Sequence, residues 1–293
     1  MAKMKLHMMH HGKMWLDKSN VVAGSRLATD DNRNPPAEWT SIPVTSFLVE
    51  HSDGLVLFDT GCDPLGMSEH WPERSKQVSP FEADENGTVG ERLAQLGFRP
   101  EDVKYLVMSH LHTDHAGCMA LFREAEVFVH DDELTQVMRM YALREERPAY
   151  SPTDIEAMLA ARLHWHPIEP VEREYPLLDG VTIVNFGSGH TFGMLGLLVE
   201  LPGSGSFLLV SDALYTQENA GPPIQFSGLV YDSLGYLATA KFIMKYAKSH
   251  NARIVFGHDS AQTAALLRDG QGDIYRADRD GIYRLGKDTT LWE

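Results

Sequence analysis

The 293-residue chain has only two cysteines, Cys62 and Cys118. Two thiols cannot build the bridge framework of a small secreted domain, and they fit reduced residues of a cytoplasmic protein. Basic residues are also in deficit: 26 Lys and Arg against 41 Asp and Glu give a formal net charge of -15. A surface of that sign repels phosphate backbones, so nucleic acid is not an expected partner. No apolar run reaches bilayer-spanning length, so no membrane association is expected either. The opening "MAKMKLHMMHHGKMWLDK" lacks a continuous apolar stretch and a small-residue cleavage site, so no export signal is read there. Repeats, low-complexity tracts and long Gly/Ser or Pro-rich linkers are missing as well, which leaves a single domain over residues 1–293 as the expectation.

What is present is an ordinary core composition, 43% hydrophobic, arranged in short β-rich runs. These are "VTSFLVEH" from Val44, "GLVLFD" from Gly54, "VKYLVMS" from Val103, "AEVFVH" from Ala125, "VTIVNF" from Val181, "MLGLLVEL" from Met194, "SFLLVS" from Ser206 and "ARIVFGH" from Ala252. Several are continuously apolar, as suits strands buried on both faces of layered sheets. Helical stretches separate the later runs. "SPTDIEAMLAARL" starts with Ser151 as N-cap, Pro152 at the first helical position and Asp154 in the first turn. "DDELTQVMRMYALREE" and "DSLGYLATAKFIMKYAKSH" open on capping aspartates. Two sheets covered by helices are predicted, with loop-rich segments at about 23–41 and 62–90 as functional rims.

The segment "SHLHTDHAG" (109–117) concentrates His110, His112, Asp114 and His115 within six residues. On a strand the first three would share a face and His115 would oppose them; on a helix His112 would point away. A turn between "KYLVMS" and "AGCMALF" is therefore predicted, with Gly117 relaxing its backbone. Imidazole and carboxylate at this density are metal donors. Three more apolar runs end in a donor: His190 in "NFGSGHTFG", Asp212 in "LLVSDALYT" and His258 in "IVFGHDS". A single catalytic zinc takes three protein ligands. Seven candidates fit two ions if one carboxylate bridges, and Asp212 is the natural bridge because a carboxylate has two oxygens. His110, His112 and His190 would serve one ion, and Asp114, His115 and His258 the other. Nitrogen and oxygen donors suit zinc, with iron, cobalt and manganese compatible. The "HMMHH" and "HWH" histidines lack such a setting and are read as exposed or half-buried strand residues.

With these residues in view, the sequence resembles the metallo-β-lactamase superfamily, and within it the N-acyl-homoserine lactonases. "HLHTDH" with His190, Asp212 and His258, "LFDTG", "NFGSGHTFGMLGL", "SDALYT", "GPPI" and "VFGHD" carry the resemblance over most of residues 40–260. It implies a four-layer αβ/βα sandwich and Asp59 as outer support for the ligands. It also implies Tyr215 hydrogen-bonding the substrate carbonyl, Asp114 passing on a proton, and a homodimer. The expected reaction is opening of a lactone ring by a hydroxide bridging the two ions. Glyoxalase II-like thioester hydrolysis is the alternative on the same ligand set. A class B β-lactamase tends to carry cysteine at the place of Asp212, and a ribonuclease Z-like nuclease suits the acidic charge poorly. Thr113 stands where some relatives have a bulky apolar residue. Met14, Trp15, Trp71, Phe81 and Phe192 are the expected pocket walls. A C-terminal extension from about 273 to 293 has no role that can be read.

Overall fold

The computed structural model describes residues 4–147, 149–268, 276–277 and 282–285. The apolar runs form strands of two sheets. The first contains β1 (Lys5–Asp17), β2 (Trp39–Glu50), β3 (Leu55–Phe58), β4 (Phe81–Ala83), β5 (Val103–Val107), β6 (Glu126–His130) and β7 (His164–Ile168). The second contains β8 (Glu174–Leu178), β9 (Val181–Gly187), β10 (Met194–Leu201), β11 (Gly205–Ser211) and β12 (Ala252–Phe256). From the expected C-terminal extension, β13 (Arg276–Ala277) and β14 (Ile282–Leu285) join the first sheet beside β1; its remainder lies outside the described residues. The first sheet runs β13-β14-β1-β2-β3-β5-β6-β7 with β4 also on β1, and the second runs β12-β11-β10-β9-β8. Both are mixed: β3, β5, β6 and β7 are parallel, as are β11 and β12, and the other pairings are antiparallel.

Period-two alternation builds the layers. Phe47, Val49, Val56, Phe58 and Val107 point between the sheets and meet Ile183, Leu195, Leu197, Phe207 and Leu209. The intervening Leu48, Leu57, Leu106 and Val127 face the other way, onto Val137, Met140, Ile155 and Met158 of two helices. On the far side, Leu198, Leu208 and Val210 meet Tyr236, Ala240 and Ile243 of the helix Ser233–Ser249. Helix, sheet, sheet and helix follow in order, the four-layer sandwich expected.

Local signals worked unevenly. Ser151 caps Pro152–Ala161, its hydroxyl accepting from the Asp154 N–H, and Asp232 caps Ser233–Ser249. The helix Asp131–Leu143 is capped one residue earlier than its aspartates suggest, by the His130 ring. The "HMMHH" histidines differ from expectation: they sit on β1, whose two faces are both covered, so His7, His10 and His11 are buried. Their ring nitrogens are engaged by Glu50, Asp84, Ser46 and the Gly87 carbonyl. His164 and His166 are exposed on β7, as the sequence suggests. The rim at 62–90 is less irregular than its composition implies, since it holds Gly66–His70 and Glu73–Val78 as short helices, and β4.

Candidate metal centre

Every expected ligand leaves the end of a strand or the loop just beyond it. β5 stops at Val107, residues 108–112 run on without regular structure, and Thr113–Ala116 make one helical turn capped by His112. The extended stretch projects His110 and His112, and the helical turn swings Asp114 and His115 onto the same side. Gly117 has an ordinary helical φ of -61°, so it is not there to relax the backbone. Instead, a Cβ at Gly117 would collide with the backbone of Cys62 and Asp63, which crosses against it. His190 follows β9, Asp212 follows β11, and His258 follows β12.

The seven side chains converge in two groups, His110, His112, His190 and Asp212, and Asp114, His115, His258 and Asp212, each with donor atoms within 4.8 Å of one another. All seven are buried. Asp212 divides its oxygens between them. Its Oδ2 lies 3.3 Å from His190 Nε2 and 3.8 Å from His110 Nε2. Its Oδ1 lies 2.9 Å from His258 Nε2 and 3.3 Å from His115 Nε2. Asp114 Oδ2 closes the second group at 3.4 Å from both His115 and His258. β12 passes close behind, and a Cβ at Gly257 would fall 2.7 Å from Asp212 Oδ1.

The outward ring nitrogens of His110, His115, His190 and His258 are engaged, which fixes which nitrogen faces inward on each. His258 Nδ1 donates to the Pro43 carbonyl and His190 Nδ1 to the Leu229 carbonyl, both at 2.8 Å. His115 Nδ1 donates to Asp59 Oδ2 at 2.8 Å, and His110 Nδ1 to Ser109 Oγ at 2.9 Å. Asp59 also accepts from the Ser109 N–H and hydroxyl, both at 2.8 Å, and Ser211 Oγ donates to Ser109 Oγ at 2.9 Å. Ser109 and Ser211 were not singled out in the sequence, because a serine beside a histidine carries no signal of its own.

This arrangement leaves lone pairs pointing at one another. Nε2 of His110, His115 and His258 and Oδ1 of Asp212 are buried without a hydrogen-bond partner. Buried polar atoms are rarely left so. Cations at the two foci would satisfy them, so the donor set fits two metal ions. The field points the same way. Burial opposes charge on His258, yet Asp212 and Asp114 push its pKa up to about 10. Burial also opposes charge on Asp212, but His258 and His115 hold it well below the usual carboxylate range. His110 and His112 go down, through burial and then through neighbouring imidazoles.

Around the centre, Tyr215 is buried with its ring centroid 5.2 Å from that of His190 and 5.0 Å from that of His258. Burial and the Asp212 and Asp114 carboxylates push its hydroxyl well above the usual range, so it stays protonated. Met14 and Trp71 are buried in one apolar cluster with Tyr215, and Phe81 packs against it. Trp15 is half-buried, and its indole N–H goes to Glu82 at 2.9 Å instead. Phe192 lines a cavity of ≈590 Å³ that reaches His112 and His190, with Tyr150, Leu229, Val230, Tyr231 and Arg147 among its walls. Thr113 is buried, its N–H donating to the Ala149 carbonyl. Sequence reading also passed over Glu133 and Tyr150. Glu133 is fully buried and accepts from the Leu111 N–H, the Phe192 N–H and the Tyr150 hydroxyl.

Residues 39–258 match the family model of the metallo-beta-lactamase superfamily. The N-acyl homoserine lactonase AiiB of Agrobacterium fabrum is 38% identical over 92% of this chain and 98% of its own length. The chain belongs to the N-acyl homoserine lactonase family of that superfamily. The lactonase AiiA of Bacillus thuringiensis subsp. kurstaki is 29% identical over 89% of this chain and 96% of its own. A solved N-acyl homoserine lactone hydrolase, with N-hexanoyl-L-homoserine bound at its catalytic metal centre, superposes with a TM-score of 0.75. It is 26% identical and covers 90% of this chain and 97% of its own. Membership in the lactonase family makes the chain a metal-dependent hydrolase. No helix among the described residues is long and apolar enough to cross a membrane.

Proposed function

We propose that this lactonase-family chain opens the ester ring of N-acyl homoserine lactones, with His110, His112, His190, Asp114, His115, His258 and Asp212 as ligands to two ions. The observation that carries the reading is Asp212, whose two oxygens face two separate sets of buried donors, with Nε2 of His110, His115 and His258 left without a hydrogen-bond partner. The relatives support it, since those named above are N-acyl homoserine lactonases and one holds an acyl-homoserine product. The donor set suits zinc, with iron, cobalt and manganese compatible. When bound, such cations supply Lewis acidity and make hydroxide available from water at neutral pH.

The chain's own residues do the rest. Hydrolysis adds hydroxide to the ring carbonyl carbon, breaks the ring C–O bond and puts a proton on the departing ring oxygen. Tyr215 holds a protonated hydroxyl beside both donor groups, where it donates to the carbonyl oxygen as negative charge develops there. Asp114 is the carboxylate without a second group to serve, and it carries the proton from nucleophile to leaving oxygen. Asp59 orients His115 and, through Ser109, His110. The acyl chain lies in the cavity walled by Phe192, Tyr150, Leu229 and Tyr231.

The test is a substrate panel: acyl-homoserine lactones of several chain lengths, unsubstituted lactones and a glutathione thioester, with metal content measured on the same preparation. Ring opening of the acyl-homoserine lactones by two-metal protein is expected. A preparation carrying two metals and inert on every lactone would defeat the substrate class, and preferential thioester turnover would favour the glyoxalase II-like reaction.

A further inference from the structure

Glu133 stands apart from the ligands but touches both loops that deliver one set of them. Its Oε1 accepts from the Leu111 N–H at 3.1 Å and the Tyr150 hydroxyl at 2.9 Å, and its Oε2 accepts from the Phe192 N–H at 3.2 Å. Leu111 lies between His110 and His112, and Phe192 lies two residues beyond His190. The Tyr150 ring in turn stands edge-on against His112, with centroids 4.5 Å apart. One carboxylate therefore joins a loop of the first sheet to a loop of the second, at the point where three histidines from those loops must agree on a common focus.

We propose that Glu133 is a positioning residue that sets the spacing of His110, His112 and His190 by clamping the two loops that carry them. The proposal rests on the two-ion reading of the centre. Packing alone would not select this residue. A carboxylate fully removed from water is costly unless its oxygens are satisfied. Burial pushes Glu133 up to about 7 even against the pull of its donors, whereas an apolar side chain would fill the space without that penalty. What an apolar side chain cannot do is accept from two backbone N–H groups on opposite sides. Glutamine cannot either: whichever way its amide turns, an NH2 group faces a backbone N–H. Outer groups of this kind govern ligand orientation and so ion affinity.

The experiment uses the full chain loaded with cobalt, and follows visible absorption and ion release to a competing chelator for wild type and Glu133→Gln. Wild type should hold two ions. In Glu133→Gln one of the two should be released roughly 10–100-fold more readily, with an altered absorption band and a lower kcat at little-changed KM. The far-UV circular dichroism of the metal-free variant should match wild type. If wild type holds two ions and Glu133→Gln holds both as tightly with an unchanged spectrum, the proposal is overturned on its own. A wild-type stoichiometry below two defeats the two-ion reading and takes the proposal with it. Should Glu133→Gln fail to fold, Tyr150→Phe decides, since it removes one donor and leaves both backbone bonds. A milder loosening of one ion supports the clamp, and unchanged affinity for both overturns it.

Discussion

A hydroxyl held protonated among carboxylates is useful where negative charge must appear and vanish within one turnover. Tyr215 occupies such a place, buried between the rings of His190 and His258. Replacing it with Phe keeps the ring and removes the donor. We expect kcat to fall about 100-fold, with metal content unchanged; steady-state rates beside metal analysis check this. An unaltered kcat on every lactone turned over would remove the hydroxyl from the chemistry. At this scale much of the site was legible. The seven donors stand out because four crowd into six residues and three more each follow an apolar run, places where hydrophobic patterning offers no reason for them. Glu133 was not legible, because a glutamate in the first turn of a helix already has a reason to be there, the helix dipole. Nothing local distinguishes a carboxylate serving its own helix from one reaching to two distant loops.

Between β1 and β2, Glu50 accepts from His7 Nε2 at 2.6 Å and from Lys5 Nζ at 2.7 Å. His7 chiefly, then Lys5 against the opposing effect of burial, bring Glu50 from the usual 4.5 to about 2. A carboxylate whose folded-state pKa is depressed stabilises the fold fully above its unfolded value. As pH falls below 4.5 the unfolded chain takes up the proton first, and the contribution is gone once the pH passes about 2. Glu50→Gln should therefore be less stable than wild type at neutral pH, with the gap closing as pH drops from about 5 towards 2. Urea titrations at a series of pH values measure it, and a gap that does not change with pH would rule the linkage out. The same strand shows where element reading fell short. β2, β3, β5, β6 and β9–β12 announce themselves as Val, Leu, Ile and Phe runs. β1 opens with adjacent Met and His pairs rather than an apolar run, and both its faces are covered, so its histidines looked exposed or half-buried until their partners Glu50, Asp84 and Ser46 came into view.

Taken whole, the molecule places its centre on a seam. His110, His112, Asp114 and His115 leave the first sheet, and His190, Asp212 and His258 leave the second. Ions held there would bind only the folded arrangement, and so stabilise it by mass action, about 2.7 kcal/mol for each ion present at a hundred times its Kd. Chelation should lower the unfolding midpoint by roughly 5 °C or more, and restoring the metal should recover it. Scanning calorimetry before and after chelation gives the answer; equal midpoints would mean that the ligands do not join the sheets. At this scale the residues predicted two helix-covered sheets and sorted the donors between two ions, while the four-layer order came through resemblance, since spacing along a chain does not say how layers stack.

The alternation of β11 has a genetic corollary. Phe207 and Leu209 face one layer while Leu208 and Val210 face another, and Asp212 follows directly after Ser211. Loss of a single codon within this strand would leave the reading frame intact but turn the side chains of its remaining residues about-face. The carboxylate would then point away from its histidines. The same loss among the exposed residues between Ala23 and Glu38 would only shorten a surface excursion.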